Sequence, residues 1–321
     1  MRPALAWLLG HGLLGSSLLR ALPQVSPEVE LWPGLGRKLR WTEPQPLEED
    51  LRESAAAFAA ALALAPDREW AVLWAAGAGV VGTSEEALAR ETAALGLLLA
   101  ELDRHGLAQR PGLLFLASSA GGVHGGDRAL PITERSQPAP ISAYGRAKLE
   151  QERQVTAFCS ARPQVRCLIG RFSNLYGAGQ DLSKPQGFIS QLCRSALTGQ
   201  PLHVFVPLDT VRDYLDAGDA AVAALRALRL LDGPGVRVKI IASERAVSLG
   251  FLLGIFARVL KRPMRVISAR QARSALQATG LAFRSTALPV PPPATQLTEG
   301  IARVLAAQRA LLRDGRLGKP Q

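Results

Sequence analysis

Residues 4–9, Ala-Leu-Ala-Trp-Leu-Leu, run into Gly10-His11-Gly12-Leu13-Leu14-Gly15 and then into Ser16-Ser-Leu-Leu-Arg-Ala-Leu22. An apolar run, a glycine cluster and a leucine-rich segment in that order predict a strand, a tight turn and a helix with one buried face. Glycines spaced G-x-G-x-x-G let backbone amides come close to a pyrophosphate at the N-terminus of the helix that follows. Gly10, His11, Gly12, Leu13, Leu14 and Gly15 are therefore candidate dinucleotide-binding residues. The same leucine-rich start, after Arg2, also has the look of a signal peptide. It is too short for a membrane span, being broken by Gly10 and Gly12 and ended by Arg20.

Outward from this turn the chain alternates. Apolar strands are predicted at 29–32, 70–74, 112–117 and 165–169, with helices over 47–64, from 83 to about 102, and from Tyr144 onward. Thr83-Ser84-Glu85-Glu86 has the composition of a helix N-terminus. Such alternation predicts an α/β fold, a doubly wound parallel sheet of Rossmann type, with a smaller C-terminal α/β part that binds substrate. The expected division is a dinucleotide-binding domain at 1–172, to which 203–231 returns, and a substrate-binding part at 173–202 and 232–321. Beyond Arg171 the alternation loosens. Helices are expected at 187–197, 217–231, 249–260 and 298–312, and short strands at 204–206 and 239–241.

Composition narrows the classes. The chain has 321 residues, 48% of them hydrophobic, enough for one large core or two moderate ones. Its net charge of +11 comes from 32 arginines and 6 lysines that are scattered along the chain, with aromatics only 5%. That pattern argues against a nucleic-acid surface and for a general attraction to small anions. Cys159, Cys167 and Cys193 have neither metal-ligand spacing nor an even count, which points to a reducing, cytoplasmic compartment and to no metal site. No membrane partner is expected.

Tyr144 and Lys148 stand four residues apart in Ile141-Ser-Ala-Tyr-Gly-Arg-Ala-Lys148, so on a helix they project from one face, a turn apart. A phenol with a free pKa of about 10 is a weak base at neutral pH. A nearby ammonium favours the phenolate and makes proton transfer with a substrate hydroxyl feasible.

The order of motifs resembles the extended short-chain dehydrogenase/reductase superfamily, in its sugar-nucleotide epimerase/dehydratase branch. The resemblance rests on the 10–15 turn, Ser118-Ser-Ala-Gly-Gly-Val-His-Gly125, Pro131-Ile-Thr-Glu134, Tyr144-Gly-Arg-Ala-Lys148, Arg171-Phe-Ser-Asn174-Leu-Tyr-Gly177, Arg212-Asp-Tyr214 with Asp219, and Glu299-Gly-Ile-Ala-Arg303. It spans residues 4 to about 308, and it turns the leucine-rich start into the first core strand and helix. The resemblance implies an NAD- or NADP-dependent enzyme acting on a nucleotide-activated sugar, with Tyr144 as acid/base. Lys148 would hold the nicotinamide ribose and depress the tyrosine pKa. Ala75, Ala76, Gly77 and Ser118 would join the 10–15 turn around the cofactor. Asn174 and Arg212 would meet the substrate diphosphate, a guanidinium fork suiting phosphate oxygens; an ion pair of Arg212 with Asp213 or Asp216 is the plainer alternative. A homodimer formed through the Tyr144 helix and the one before it is implied as well.

Departures from the family pattern carry their own expectations. Ala120 lies where the family keeps a serine or threonine at the reacting oxygen, so Ser119 is the expected substitute, with Ala120 beside it at the substrate. His124 replaces a loop tyrosine; it is expected either to donate to the substrate or to make a local hydrogen bond. The segment 32–40 lacks the acidic residue that grips an NAD ribose, and Arg37, Lys38 or Arg40 is expected to meet a 2′-phosphate instead. A catalytically degenerate NAD(P)-binding sensor or scaffold is the alternative to the enzyme, motivated by Ala120.

Overall fold

The computed structural model describes residues 2–36, 39–41, 43–127, 129–182, 187–268 and 280–315. The first half is built from β1 (Ala4–Leu9), α1 (Leu13–Val25), β2 (Val29–Leu31), α2 (Pro44–Ala63), β3 (Glu69–Trp74), α3 (Glu85–Arg104), β4 (Gly112–Ser119), the single turn α4 (Ala120–Val123), α5 (Ala143–Ser160) and β5 (Val165–Phe172). There follow β6 (Asn174–Tyr176), α6 (Phe188–Thr198), β7 (Leu202–Val204), β8 (Val211–Arg212), β9 (Tyr214–Asp216) and α7 (Ala217–Arg229). The remaining elements are β10 (Gly235–Ile241), β11 (Val247–Ser248), α8 (Leu249–Leu260), β12 (Val266–Ser268) and α9 (Leu297–Arg313).

Six strands form one sheet in the order β10-β5-β4-β3-β1-β2, and every pairing in it is parallel. All six residues of β1 and of β3 are buried, as a strand covered on both faces requires. One face packs Trp7, Phe58, Trp74, Leu98 and Val155 against α2, α3 and α5. The other packs Leu8, Leu18, Phe115, Ala224 and Leu228 against α1 and α7. The leucine-rich start is thus a central strand and its covering helix. Among the described residues, no helix is long and apolar enough to cross a membrane.

The expected division differs from the observed one at two places. Residues 235–241, expected in the substrate part, form β10 and pair with β5 along seven residues. Residues 203 and 204, expected to return to the large sheet, pair instead with β12, together with Leu202. Val236 and Val238 are partly buried against the large core, whereas Val204 and Ile255 belong to a separate cluster formed by α6, α8 and α9. Short apolar runs do not say which of two cores they join, so the expectation had no local signal to correct it.

Candidate active site

The chain passes from β1 to β2 on one side and then to β3 on the other side of β1. That reversal opens a crevice at the carboxyl ends of the strands, the place where α/β sheets bind nucleotides. A cleft of about 1190 Å³ lies there, running from the β1–α1 turn to the C-terminal elements.

The three glycines of the turn have different work. Gly10 has φ +93°, and a Cβ on it would sit 2.4 Å from Ala76 N. A Cβ on Gly15 would lie 1.8 Å from Gly10 O. Both serve close packing, and neither lines the cleft. Gly12 precedes α1, and a Cβ there would meet nothing within 4 Å. The first turn of α1 has no side-chain cap and no acidic residue, so its amides are left for a ligand. His11, Gly12, Leu13 and Leu14 line the cleft, as do Ala75, Ala76 and Gly77 at the end of β3. An open glycine, amides without a side-chain cap and tight glycine packing behind them fit a pyrophosphate.

Ser142 caps α5 by accepting from Gly145 N at 3.1 Å, which starts the helix that presents Tyr144 and Lys148 to the cleft. The Tyr144 and Ser119 side chains converge on Gly122, where an added Cβ would lie 3.0 Å from Tyr144 Cε1 and 3.2 Å from Ser119 Oγ, and Ser119 Oγ accepts from Gly122 N at 3.1 Å. Lys148 Nζ lies 6.0 Å from the Tyr144 ring centroid and donates to Gln151 Oε1 at 3.0 Å. Burial pushes the Tyr144 pKa up, the neighbouring Ser119 hydroxyl opposes this, and the Glu91 charge pushes it further up. The expected depression by Lys148 is therefore not what the protein alone produces. Desolvation dominates, and the ammonium is turned toward Gln151. Burial lowers the Lys148 pKa, with Glu91 and then Glu152 opposing it.

Sequence reasoning missed two acidic residues here. Glu91 of α3 accepts from Ala78 N at 2.6 Å and Gly79 N at 2.7 Å, tying down the loop that follows β3. A Cβ on Gly77 would lie 3.2 Å from Glu91 Oε2 and 3.5 Å from Lys148 Nζ, so the carboxylate stands beside the ammonium. Glu152 of α5 pairs with Arg171 at 2.7 Å, both buried, and accepts from Ser118 Oγ at 2.6 Å. Neither has a local motif; each acts across more than ten residues of chain.

His124 is corrected by this network. It is fully buried, with Nε2 2.9 Å from Arg171 Nη1 and Nδ1 3.3 Å from Asp127 Oδ2. Both ring nitrogens are engaged behind the cleft rather than toward a substrate, and burial followed by the Arg171 charge lowers its pKa. Ala120 is also fully buried, in a small cluster with Ile132 and Leu281, and does not line the cleft. Ser118 does line it, although its hydroxyl points to Glu152.

Asn174 and Arg212 line the far half of the cleft. Asn174 Nδ2 donates to Asp213 O at 3.0 Å, and Arg212 Nη1 donates to Val211 O at 2.9 Å. The carboxylates of the plainer alternative go elsewhere. Asp213 accepts from Ser243 N at 2.8 Å and Ser243 Oγ at 2.9 Å, and Asp216 caps α7 and pairs with Arg303 at 3.1 Å. Burial lowers the Arg212 pKa. Arg37 and Lys38 lie outside the described residues. Arg40 is tied to Asp50, with Nη2 2.8 Å from Oδ1.

A doubly wound sheet with an open glycine turn at one end of its cleft and a tyrosine–lysine helix at the other defines a dinucleotide-dependent class of protein. The chain belongs to the NAD dependent epimerase/dehydratase family, whose model matches residues 7–240. It is 31% identical over 124 residues to a dTDP-L-rhamnose 4-epimerase of Burkholderia thailandensis, covering 36% of this chain and 34% of that one. The chain thus spans little more than a third of the length of the curated relatives it matches. In structure it resembles a UDP-glucose 4-epimerase of Thermotoga maritima solved with UDP-glucose: 20% identity, TM-score 0.77, 96% of this chain and 99% of that one. A UDP-glucose 4-epimerase of Bifidobacterium longum, solved with NAD+ and UDP, matches with 17% identity, TM-score 0.75, and 98% and 100% coverage.

Proposed function

We propose that this chain is an NAD(P)-dependent enzyme of the epimerase/dehydratase type acting on a nucleotide-activated sugar. The observation that carries the reading is Tyr144 at the cleft wall, beside Ser119 and one helical turn from Lys148. A bound nicotinamide would take a hydride from a sugar carbon and return it. Tyr144 Oη removes the proton of the hydroxyl on that carbon as the carbonyl forms, and gives it back when the carbonyl is reduced. Ser119 Oγ holds the reacting oxygen and the phenol in one hydrogen-bonded line. Lys148 supplies positive charge beside the phenol and ribose hydroxyls. Gly12 and the α1 amides receive the pyrophosphate, and Arg212 and Asn174 orient the sugar-nucleotide diphosphate. Two copies are proposed to pair through α3 and α5, which pack side by side; light scattering would then read twice 34.2 kDa.

The test is titration of the purified protein with NADH and NADPH, followed by turnover assays across UDP- and dTDP-sugars. Tyr144→Phe is expected to lower kcat by about 10²–10⁴-fold while leaving cofactor affinity within about twofold. Tight cofactor binding with no conversion of any sugar nucleotide, unchanged in Tyr144→Phe, would instead establish the sensor or scaffold.

A further inference from the structure

We infer that Trp41 is the stacking face for the adenine ring of the dinucleotide, at the outer flank of the sheet. This rests on the NAD(P) reading above. The reaction end of the cleft lies on the β4 side, where Ser119 and the α5 pair converge. A dinucleotide laid across the reversal between β1 and β3, with its pyrophosphate at α1, must carry its other nucleoside toward β2. That flank is sparse. β2 is an edge strand of three residues, and its one acidic side chain, Glu30, pairs with Arg68 at 2.7 Å. No carboxylate stands in the sequence between β2 and Trp41 to hold a ribose or a purine edge: residues 32–40 contain no Asp or Glu, and Trp32 is buried.

What the flank offers is an aromatic surface. Trp41 packs edge-on against Trp74, ring centroids 5.8 Å apart and planes at 80°. Trp74 is the last residue of β3, immediately before Ala75 and Ala76 of the cleft. Trp41 is 38% exposed, whereas Trp7, Trp32, Trp70 and Trp74 are 1–6% exposed. The segment that carries it is anchored: the Asp50 carboxylate accepts from Arg40 N at 2.9 Å, Nε at 3.0 Å and Nη2 at 2.8 Å. An indole face held this way suits a flat purine and makes no hydrogen-bond demand of it. NADH and NADPH carry the same adenine, so the contribution is equal for both.

The experiment measures binding of NADH, NADPH, AMP and nicotinamide mononucleotide to the wild type, Trp41→Ala and Trp41→Phe by calorimetry, with intrinsic fluorescence in parallel. Trp41→Ala is expected to weaken NADH, NADPH and AMP by about tenfold each, without changing nicotinamide mononucleotide. Trp41→Phe keeps a stacking ring and stays within about threefold. AMP quenches wild-type fluorescence, and that quenching disappears in Trp41→Phe, a readout that does not depend on the alanine variant folding. Unchanged or tighter AMP binding in Trp41→Ala, or full quenching in Trp41→Phe, overturns the assignment. Wild-type protein that binds neither dinucleotide overturns the NAD(P) reading itself, and so the two failures are separable.

Discussion

Glu91, to which no motif pointed, acts on the electrostatics of both members of the reacting pair. Its charge raises the pKa of Tyr144, on top of burial and against Ser119, and also raises that of Lys148 against burial. Removing the charge lowers both, so each basic form is reached at lower pH. Glu91→Gln keeps an oxygen for Ala78 N and Gly79 N, and the acid limb of kcat/KM for sugar oxidation is expected to move to lower pH with little loss of cofactor affinity. The other charged groups packed near, Glu152 and Arg171, form a buried ion pair of their own, with His124 against Arg171, and stay as they are. A pH-rate profile checks this; an acid limb that stays or moves upward refutes the coupling. Tyr144 and Lys148 were legible because four-residue spacing on a helix is local information. Glu91 and Glu152 were not, because nothing along the chain says that Glu91 of α3 meets the loop after β3, or that Glu152 meets Arg171 of β5 and Ser118 of β4. His124 stood between a substrate contact and a local hydrogen bond for the same reason: its partner Arg171 is 47 residues away.

At the scale of elements, the glycine turn divides packing from binding, and substitution separates the two. Gly15→Ala forces a Cβ onto Gly10 O, with 1.8 Å between them, and overpacking of this kind costs about 1–3 kcal/mol. Gly12→Ala meets open space, so its unfolding midpoint is expected to stay near wild type while NAD(H) affinity falls at least tenfold. Denaturant titration and calorimetry on the two variants check the split; equal loss of stability in both would contradict it. The elements themselves were well marked. Residues 249–260 are helix α8 as expected, and Ser84 caps α3 by accepting from Ala87 N at 3.3 Å. Less legible was membership: 235–241 and 202–204 are short apolar strands, and which sheet each enters depends on register with distant partners.

Across the whole molecule, part of the basic charge is organised into ion pairs. Arg166 meets Glu69, Arg162 meets Asp103 at 3.0 Å, Arg229 meets Glu28 at 3.0 Å, and Arg303 meets Asp216 at 3.1 Å. Such pairs at the surface add little stability one by one, and the two sheet cores carry the fold. Because the cleft joins those cores to the C-terminal cluster, ligand binding acts on the whole chain. A cofactor at a hundred times its Kd is expected to raise the unfolding free energy by about 2.7 kcal/mol. Unfolding by denaturant with and without NADH measures this, and identical curves at saturation would count against a bound dinucleotide. Fold class was the most legible level of all, since alternation of buried strands and helices repeats along the chain and each repetition supports the others.

The margins of the large sheet have a consequence for behaviour at high concentration. Along β10, Ile240 N donates outward to Glu134 Oε1 at 2.9 Å, and the same carboxylate takes Ser285 Oγ and Thr286 N. At the opposite margin β2 offers only three residues, with Glu30 already paired to Arg68. A foreign ribbon seeking backbone partners finds one amide of the β10 border already taken and the β2 border only three residues long. Self-templated growth from the native state is expected to begin at the β10 border, and sooner in a Glu134→Ala protein, where that amide is freed.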